Sequence, residues 1–365
     1  MAATVENKAI AMAKRAHAAF KAGDIEGVKA CWSDEIVHKS FGTTTSDEPF
    51  MGVFKGVDEG LKMVGEFGAL QPSFSFTDSM FIPVSDTKCI QCVEATLSNG
   101  AVLHELMVWT VNADGNKMVE WDLYGDPLSY KKAKNGESVS HEYFYPRHQT
   151  PPAAHDAGAL TAKGAAKLCH DAFAVGDVPA ITGIWHPNII HAAVGPATPE
   201  IPHSGVSVGA DAGLAWLAKY AAAGIQYAWV EETTIEVNPN LCFTFSATSY
   251  PDGTSGIEAM RWITTPDGKL VSWTCFGNTI KHAAGAKAAT SEAEAVVMGI
   301  MQGWGEGKYA STNPDKLKNA ETFFAAEAVT DGTGESIAPC DPPSPSLPPS
   351  LSFPLPSLPL LSSCN

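Results

Sequence analysis

Two histidines and two glutamates have the types and spacing to move protons: His38 with Glu105, and 153 positions later His191 with Glu258. An imidazole and a carboxylate enclosed in an apolar cavity have pKa values shifted by burial and by each other, and can serve as base and acid. Side chains two apart share a face of an extended strand. Ser40 therefore lies on the His38 face, Met107 and Trp109 on the Glu105 face, and Met260 and Trp262 on the Glu258 face. These four acid/base candidates are expected to be catalytic, with Ser40, Met107, Trp109, Met260 and Trp262 lining the cavity around them. A competing reading stays open beside it. A buried imidazole bonded to a backbone carbonyl, and a buried carboxylate capping backbone N–H groups, serve folding alone.

Other chemistries lack their residues. His38, His104 and Glu105 would make a ligand trio, but Ile257 stands where His104 should recur. There is no Gly-rich phosphate loop. Cys89 and Cys92 form a lone CxxC, and strand alternation sends their sulfurs to opposite faces. No metal or cofactor is expected. His17 and His170 lie beside a helix's apolar stripe and are read as packing, while Asp24 and Asp177 are read as helix N-caps.

The elements that must position the candidates come twice. A shift of 153 lays residues 16–115 on 169–268 without a gap, and a shift of 152 carries Lys117, Val119, Trp121 and Gly125 onto Lys269, Val271, Trp273 and Gly277. Solenoid periods are only about 20–50 residues, so this is a duplicated domain. In each copy helical spacing (Ile10, Ala13, Ala16, Phe20) stops at Gly23-Asp24, a second short helix and a short strand at Ile36–His38 follow, and a third helix opens near Asp58. The period then changes to two, with turns at Asn99-Gly100 and Asp114-Gly115. Three helices followed by an antiparallel meander make an α+β unit, not an alternating doubly wound one.

Hydrophobic content of 45% and charged content of 18% suit globular units with cores. The net charge of −16 argues against nucleic acid and anionic membrane as partners. No apolar run is long enough for a spanning helix or a secretory leader, and scattered cysteines fit a reduced, cytoplasmic chain. The expected division is 1–130 as unit one, 131–160 as a linker, 161–283 as unit two, 284–330 as a partial third unit of helices only, and 331–365 as a disordered Pro/Ser/Leu-rich tail.

The run A-H-x-A-F-x-x-G-D-(x7)-W-x-x-x-I-x-H, the Gly-x-Asp helix opener and the late meander resemble the SnoaL-like group of the nuclear transport factor 2-like superfamily, over about 125 residues in each copy. That resemblance implies two tandem cone-shaped units, each with three N-terminal helices packed in a curved four-stranded antiparallel sheet plus a short first strand. It implies a cavity at the open end, and members range from isomerases and cyclases to binding modules, so the fold does not fix the reaction. The positions of the tyrosine and aspartate of the family's ketosteroid isomerases hold Ala16 and Ser40, then Cys169 and Ala193, which disfavours steroid-type proton transfer. Two functions follow: apolar pockets for a small hydrophobic molecule with a cofactor-free lyase, isomerase or cyclase step through the His/Glu pair, or a non-catalytic ligand-binding or assembly module. In either case the superfamily's habit of pairing sheet faces implies an intrachain pseudo-dimer of the two units.

Overall fold

The computed structural model describes residues 6–42, 48–70, 75–97, 101–137, 151, 153–195, 197–199 and 201–286. The expected partial third unit and Pro/Ser/Leu tail lie almost wholly outside them, as does much of the expected linker. The first unit runs α1 (Lys8–Ala22), α2 (Ile25–Cys31), β1 (Trp32–Ser40), β2 (Gly52–Lys55), α3 (Val57–Leu70), β3 (Ser75–Ser85), β4 (Lys88–Thr96), β5 (Val102–Val111), β6 (Met118–Tyr124) and α4 (Pro127–Lys134). The second repeats the order as α5 (Ala162–Val175), α6 (Val178–Gly183), β7 (Trp185–Ala193), β8 (Gly205–Val208), α7 (Ala210–Ala222), β9 (Gln226–Ala228), β10 (Ile235–Asn238), β11 (Leu241–Ser249), β12 (Ser255–Thr264), β13 (Leu270–Phe276) and α8 (Thr279–Ala286).

Local chemistry explains the repeat. Asn7 and Thr161 cap α1 and α5 by accepting from Ile10 N and Gly164 N, and Asp24 and Asp177 cap α2 and α6 in the same way. Gly23 and Gly176 end the first helices at φ 65° and 71°, where a residue with a Cβ is strained. Both sheets differ from the antiparallel expectation in one respect. The first strand has nine residues and pairs in parallel with the last, β1 with β6 and β7 with β13. The chain crosses by the third helix to the far edge, and a four-strand walk back ends beside the first strand in the same direction. The orders are β2-β1-β6-β5-β4-β3 and β10-β11-β12-β13-β7-β8, with β9 also on β11. In the second unit the strand equivalent to β3 is broken at Glu231–Thr233, and Thr233 Oγ1 donates to the Phe245 carbonyl across the break at 2.7 Å. The last helices α4 and α8 extend beyond the expected unit ends at 130 and 283.

Three apolar layers result. The helices of each unit cover one face of its sheet, burying Met12, Trp32, Met107 and Trp109 in the first unit and Cys169, Trp185, Met260 and Trp262 in the second. The opposite faces of both sheets contribute to a third layer, with Ile90, Cys92, Leu106 and Val108 against Phe243, Phe245, Ala259 and Phe276. Cys89 lies in the first layer and Cys92 in the third, as alternation requires. Around this layer Ile257 N donates to the Gly42 carbonyl at 2.5 Å, and Ile280 of α8 packs on the first unit's core.

Candidate functional site

His38 and His191 occupy the same environment twice. Each is buried, and each ring stands edge-on to the indole of the tryptophan six residues earlier, with centroids 4.5 Å apart and planes at 63° for both Trp32–His38 and Trp185–His191. Trp121 closes on His38 at 5.5 Å, and Trp216 stacks on His191 at 5.0 Å. No ring nitrogen of either has a hydrogen-bond partner among the described residues. Burial without such a partner lowers the imidazole pKa to about 4 at His38 and about 3 at His191, so both rings are neutral near pH 7. Ser40, on the same face of β1, is also buried, with its hydroxyl unpartnered.

The two glutamates project from β5 and β12 into different surroundings. Burial lifts Glu105 to about 8, opposed by the Tyr130 phenol donating to Oε1 and reinforced by Asp126 nearby, and Oε2 has no partner. Burial also disfavours the Glu258 carboxylate. There the His282 ring and its hydrogen bond, then the Asn278 N–H and the Tyr250 hydroxyl, outweigh it and hold the pKa down at about 2. Its Oε1 accepts from His282 Nε2 at 2.8 Å, Tyr250 at 2.8 Å and Asn278 N at 3.0 Å, and its Oε2 accepts from Tyr227 at 2.9 Å. An ionised carboxylate only accepts, so the His282 proton sits on Nε2. His203 then bonds His282 Nδ1 from its own Nε2 at 3.0 Å. Neither His38 with Glu105 nor His191 with Glu258 forms a hydrogen bond; the imidazole that serves Glu258 is His282, on α8.

Superposing the copies in register locates what differs. Phe41, Phe50, Phe67 and Tyr130 fill the open end of the first unit with rings 5.4–6.4 Å apart. Their counterparts in the second unit are Val194, His203, Tyr220 and His282. There Tyr220 stacks on Tyr227 with centroids 5.7 Å apart, and their hydroxyls are hydrogen-bonded. Beside this pair lies a narrow recess walled by Cys169, His170, Phe173, Tyr220, Tyr227, Met260 and Trp273. It encloses about 240 Å³ between atoms with its open mouth included, and its enclosed end has room on the order of one water. His170 in its wall bonds Ser246 through Nε2 at 3.3 Å, and burial lowers its pKa to about 4.

Of the residues expected to line a cavity, Met260 lines this recess. Trp262 stands behind it, stacked on Trp273 at 4.5 Å with its indole N–H donated to Thr244. Met107 and Trp109 belong to the first unit's core, where Trp109 donates to Gln91 at 2.9 Å. The residues that sequence reasoning missed, His203, Tyr220, Tyr227 and His282, had one available signal. They stand where the two copies differ, phenylalanine in the first against a polar ring in the second for His203, Tyr220 and Tyr227, and Tyr130 against His282, whereas attention to retained positions selects the shared scaffold. Among the described residues no group of three His, Cys, Asp or Glu side chains could hold a metal ion, and no helix is long and apolar enough to cross a membrane.

With fold and site described, the chain can be set beside known proteins. No family model matches it, and no curated protein matches it. Among solved structures it is similar to an NTF2-like protein from Burkholderia xenovorans LB400, at 16% identity over 36% of this chain and 100% of that chain, TM-score 0.29. It is similar to TerC co-crystallised with polyporic acid, at 14% identity over 35% and 98%, TM-score 0.31. A third is a protein from Mycobacterium tuberculosis in complex with estradiol-17beta-hemisuccinate, at 17% identity over 33% and 94%, TM-score 0.27. The chain is an α+β protein of two tandem units, similar in fold to NTF2-like proteins.

Proposed function

We propose that this chain is a small-molecule binding protein built as an intrachain pseudo-dimer, in which the second unit receives a small hydrophobic guest and the first is its solid partner. The observation that carries this reading is the recess between α5, α7 and the sheet of the second unit, with Tyr220 and Tyr227 at its wall and the Glu258 network behind them. Apart from His170 the remaining walls are apolar, which is the composition expected of a site that holds a guest by burial and orients it with few polar groups. In the first unit the position of Tyr220 is held by Phe67, which packs against Phe50 and Tyr130. The shared apolar layer between the sheets supports the pseudo-dimer. Unit limits of about 1–130 and 161–283, extended by α4 and α8, belong to the same proposal.

A lyase or isomerase step through His38/Glu105 or His191/Glu258 has less behind it. A base must reach its proton within about 3 Å, and each imidazole is buried between indoles and a helix glycine, Gly60 or Gly213. Binding is tested by titrating the full chain with single-ring aromatic compounds and following the Trp273 indole resonance by NMR. Saturable shifts are expected, weakened several-fold by Phe173→Trp, which narrows the mouth. Titrations that leave Trp273 unmoved with every compound would remove the proposal.

A further inference from the structure

The hydrogen bonds behind the recess run in one direction, and that direction selects the guest. Glu258 Oε2 accepts from Tyr227 at 2.9 Å, and an ionised carboxylate offers no proton in return. The Tyr227 proton is thereby committed, so its oxygen can only accept from its neighbour. The neighbour is Tyr220, whose hydroxyl bonds that of Tyr227. The Tyr220 proton is committed in turn. Its oxygen keeps two lone pairs, and the Cys275 thiol that also contacts it supplies at most one donor. Both phenols have their ionisation opposed by burial first, and then by Cys275 ahead of Glu258 at Tyr220 and by the Glu258 charge at Tyr227, so neither becomes an oxyanion near pH 7.

We infer that the polar end of the recess presents hydrogen-bond acceptors, the oxygens of Tyr220 and Tyr227, and therefore takes small apolar guests that carry a donor, a hydroxyl or amino group on an aromatic or aliphatic body, in preference to ketones or ethers. This rests on the recess being the guest site. The enclosed end fits a head the size of water, and the apolar body lies toward the mouth among the apolar walls. A carbonyl oxygen entering there meets lone pairs, and turning one phenol round to greet it would strip a hydrogen bond from a buried carboxylate, which is the costlier loss. Glu258 is the positioning residue for this selection: it touches no guest and sets the polarity of two phenols. Its own charge is held by Tyr250, Asn278 N–H and His282 from the other side.

The test compares 4-methylphenol with 4-methylanisole, which has a similar shape and no donor, by calorimetric titration of the full chain. The phenol is expected to bind about 3- to 10-fold tighter, the range of one neutral hydrogen bond. Tyr220→Phe should erase that ratio by weakening the phenol alone. Glu258→Gln is the sharper variant. Its amide can donate to Tyr227, the Tyr227 proton then turns onto the Tyr220 oxygen, the Tyr220 proton is freed toward the recess, and the preference should shift toward the anisole. Equal binding of the two compounds by the parent protein, or a Glu258→Gln variant that folds and keeps the parent's ratio, overturns the acceptor assignment while leaving the recess as a binding site. If neither compound binds at millimolar concentration and no other single-ring compound moves Trp273, the binding site itself fails and this inference goes with it.

Discussion

Gly60 and Gly213 are glycine because an imidazole occupies the space where a side chain would begin. A Cβ on Gly60 would stand 2.5 Å from His38 Nε2, and one on Gly213 would stand 2.7 Å from His191. The recurrence of Trp, His and Gly in both copies was legible in the sequence. Their purpose was not, because a residue kept for ring-on-backbone packing and one kept for catalysis leave the same trace. The orphaned nitrogens decide between them by energy. A buried polar atom without a partner costs about 1–3 kcal/mol, so replacing the ring by a hydrocarbon of similar volume removes a penalty. His38→Leu is therefore expected to hold or raise the urea unfolding free energy, whereas Gly60→Ala, which overpacks the same contact, should lower it by about 1–3 kcal/mol. A His38→Leu variant that loses several kcal/mol would mean the imidazole has a partner that the geometry does not contain.

At the scale of elements, the helices α4 and α8 escaped the sequence reading because neither has an apolar stripe long enough to register. The sequence Pro127–Lys134 offers Leu128 and Tyr130 among lysines. What defines these helices is their mutual contact. Asp126 caps its own helix through Ser129 N at 3.2 Å, and the same Oδ1 accepts the Thr279 hydroxyl at the start of α8. The Thr279 oxygen accepts Leu128 N at 3.0 Å, so one hydroxyl ties the two N-termini together. The second copy has Asn278 where Asp126 stands, which keeps a second carboxylate from the equivalent cap position. Thr279→Val preserves shape and removes both bonds, leaving a buried carboxylate oxygen and a backbone N–H short of partners. It should cost about 1–3 kcal/mol in a urea titration of the full chain. A neutral result would show that Ile280 packing alone fastens α8. The first strand was underestimated for a related reason: its parallel partner lies 83 residues on, Val37 pairing with Glu120, and pairing at that distance has no periodic signature.

Over the whole molecule, buried ionisable groups of opposite behaviour set the dependence of stability on pH. His38 and His170 are lowered to about 4, and His191 and His203 to about 3, in each case chiefly by burial. Their unfolded value is about 6.5. Below that pH the unfolded chain binds protons that the folded chain refuses, so stability falls as pH falls from about 6.5 toward 4. Two carboxyls act the other way. Burial raises Glu105 to about 8 and Asp122 to about 7, the latter in spite of Lys39. Their contribution is complete below their unfolded values near 4 and is lost as pH rises through 7 to 8. The imidazoles outnumber these carboxyls by two, so stability should peak between about pH 6 and 7 and then fall on the acid side. The slope near pH 5.5 should approach two protons, roughly 2–3 kcal/mol per pH unit. That is a sizeable share of the ~5–15 kcal/mol typical of a folded domain, and it is lost before the depressed Glu258 begins to protonate. Urea titrations at pH 7, 6 and 5.5 measure the slope directly. The double variant His38→Leu/His191→Leu should flatten it by close to two protons, because the two rings it removes are neutral when folded and charged when free. An acid slope that the double variant leaves unchanged would place the proton uptake on other groups and leave the neutral state of these two imidazoles without support.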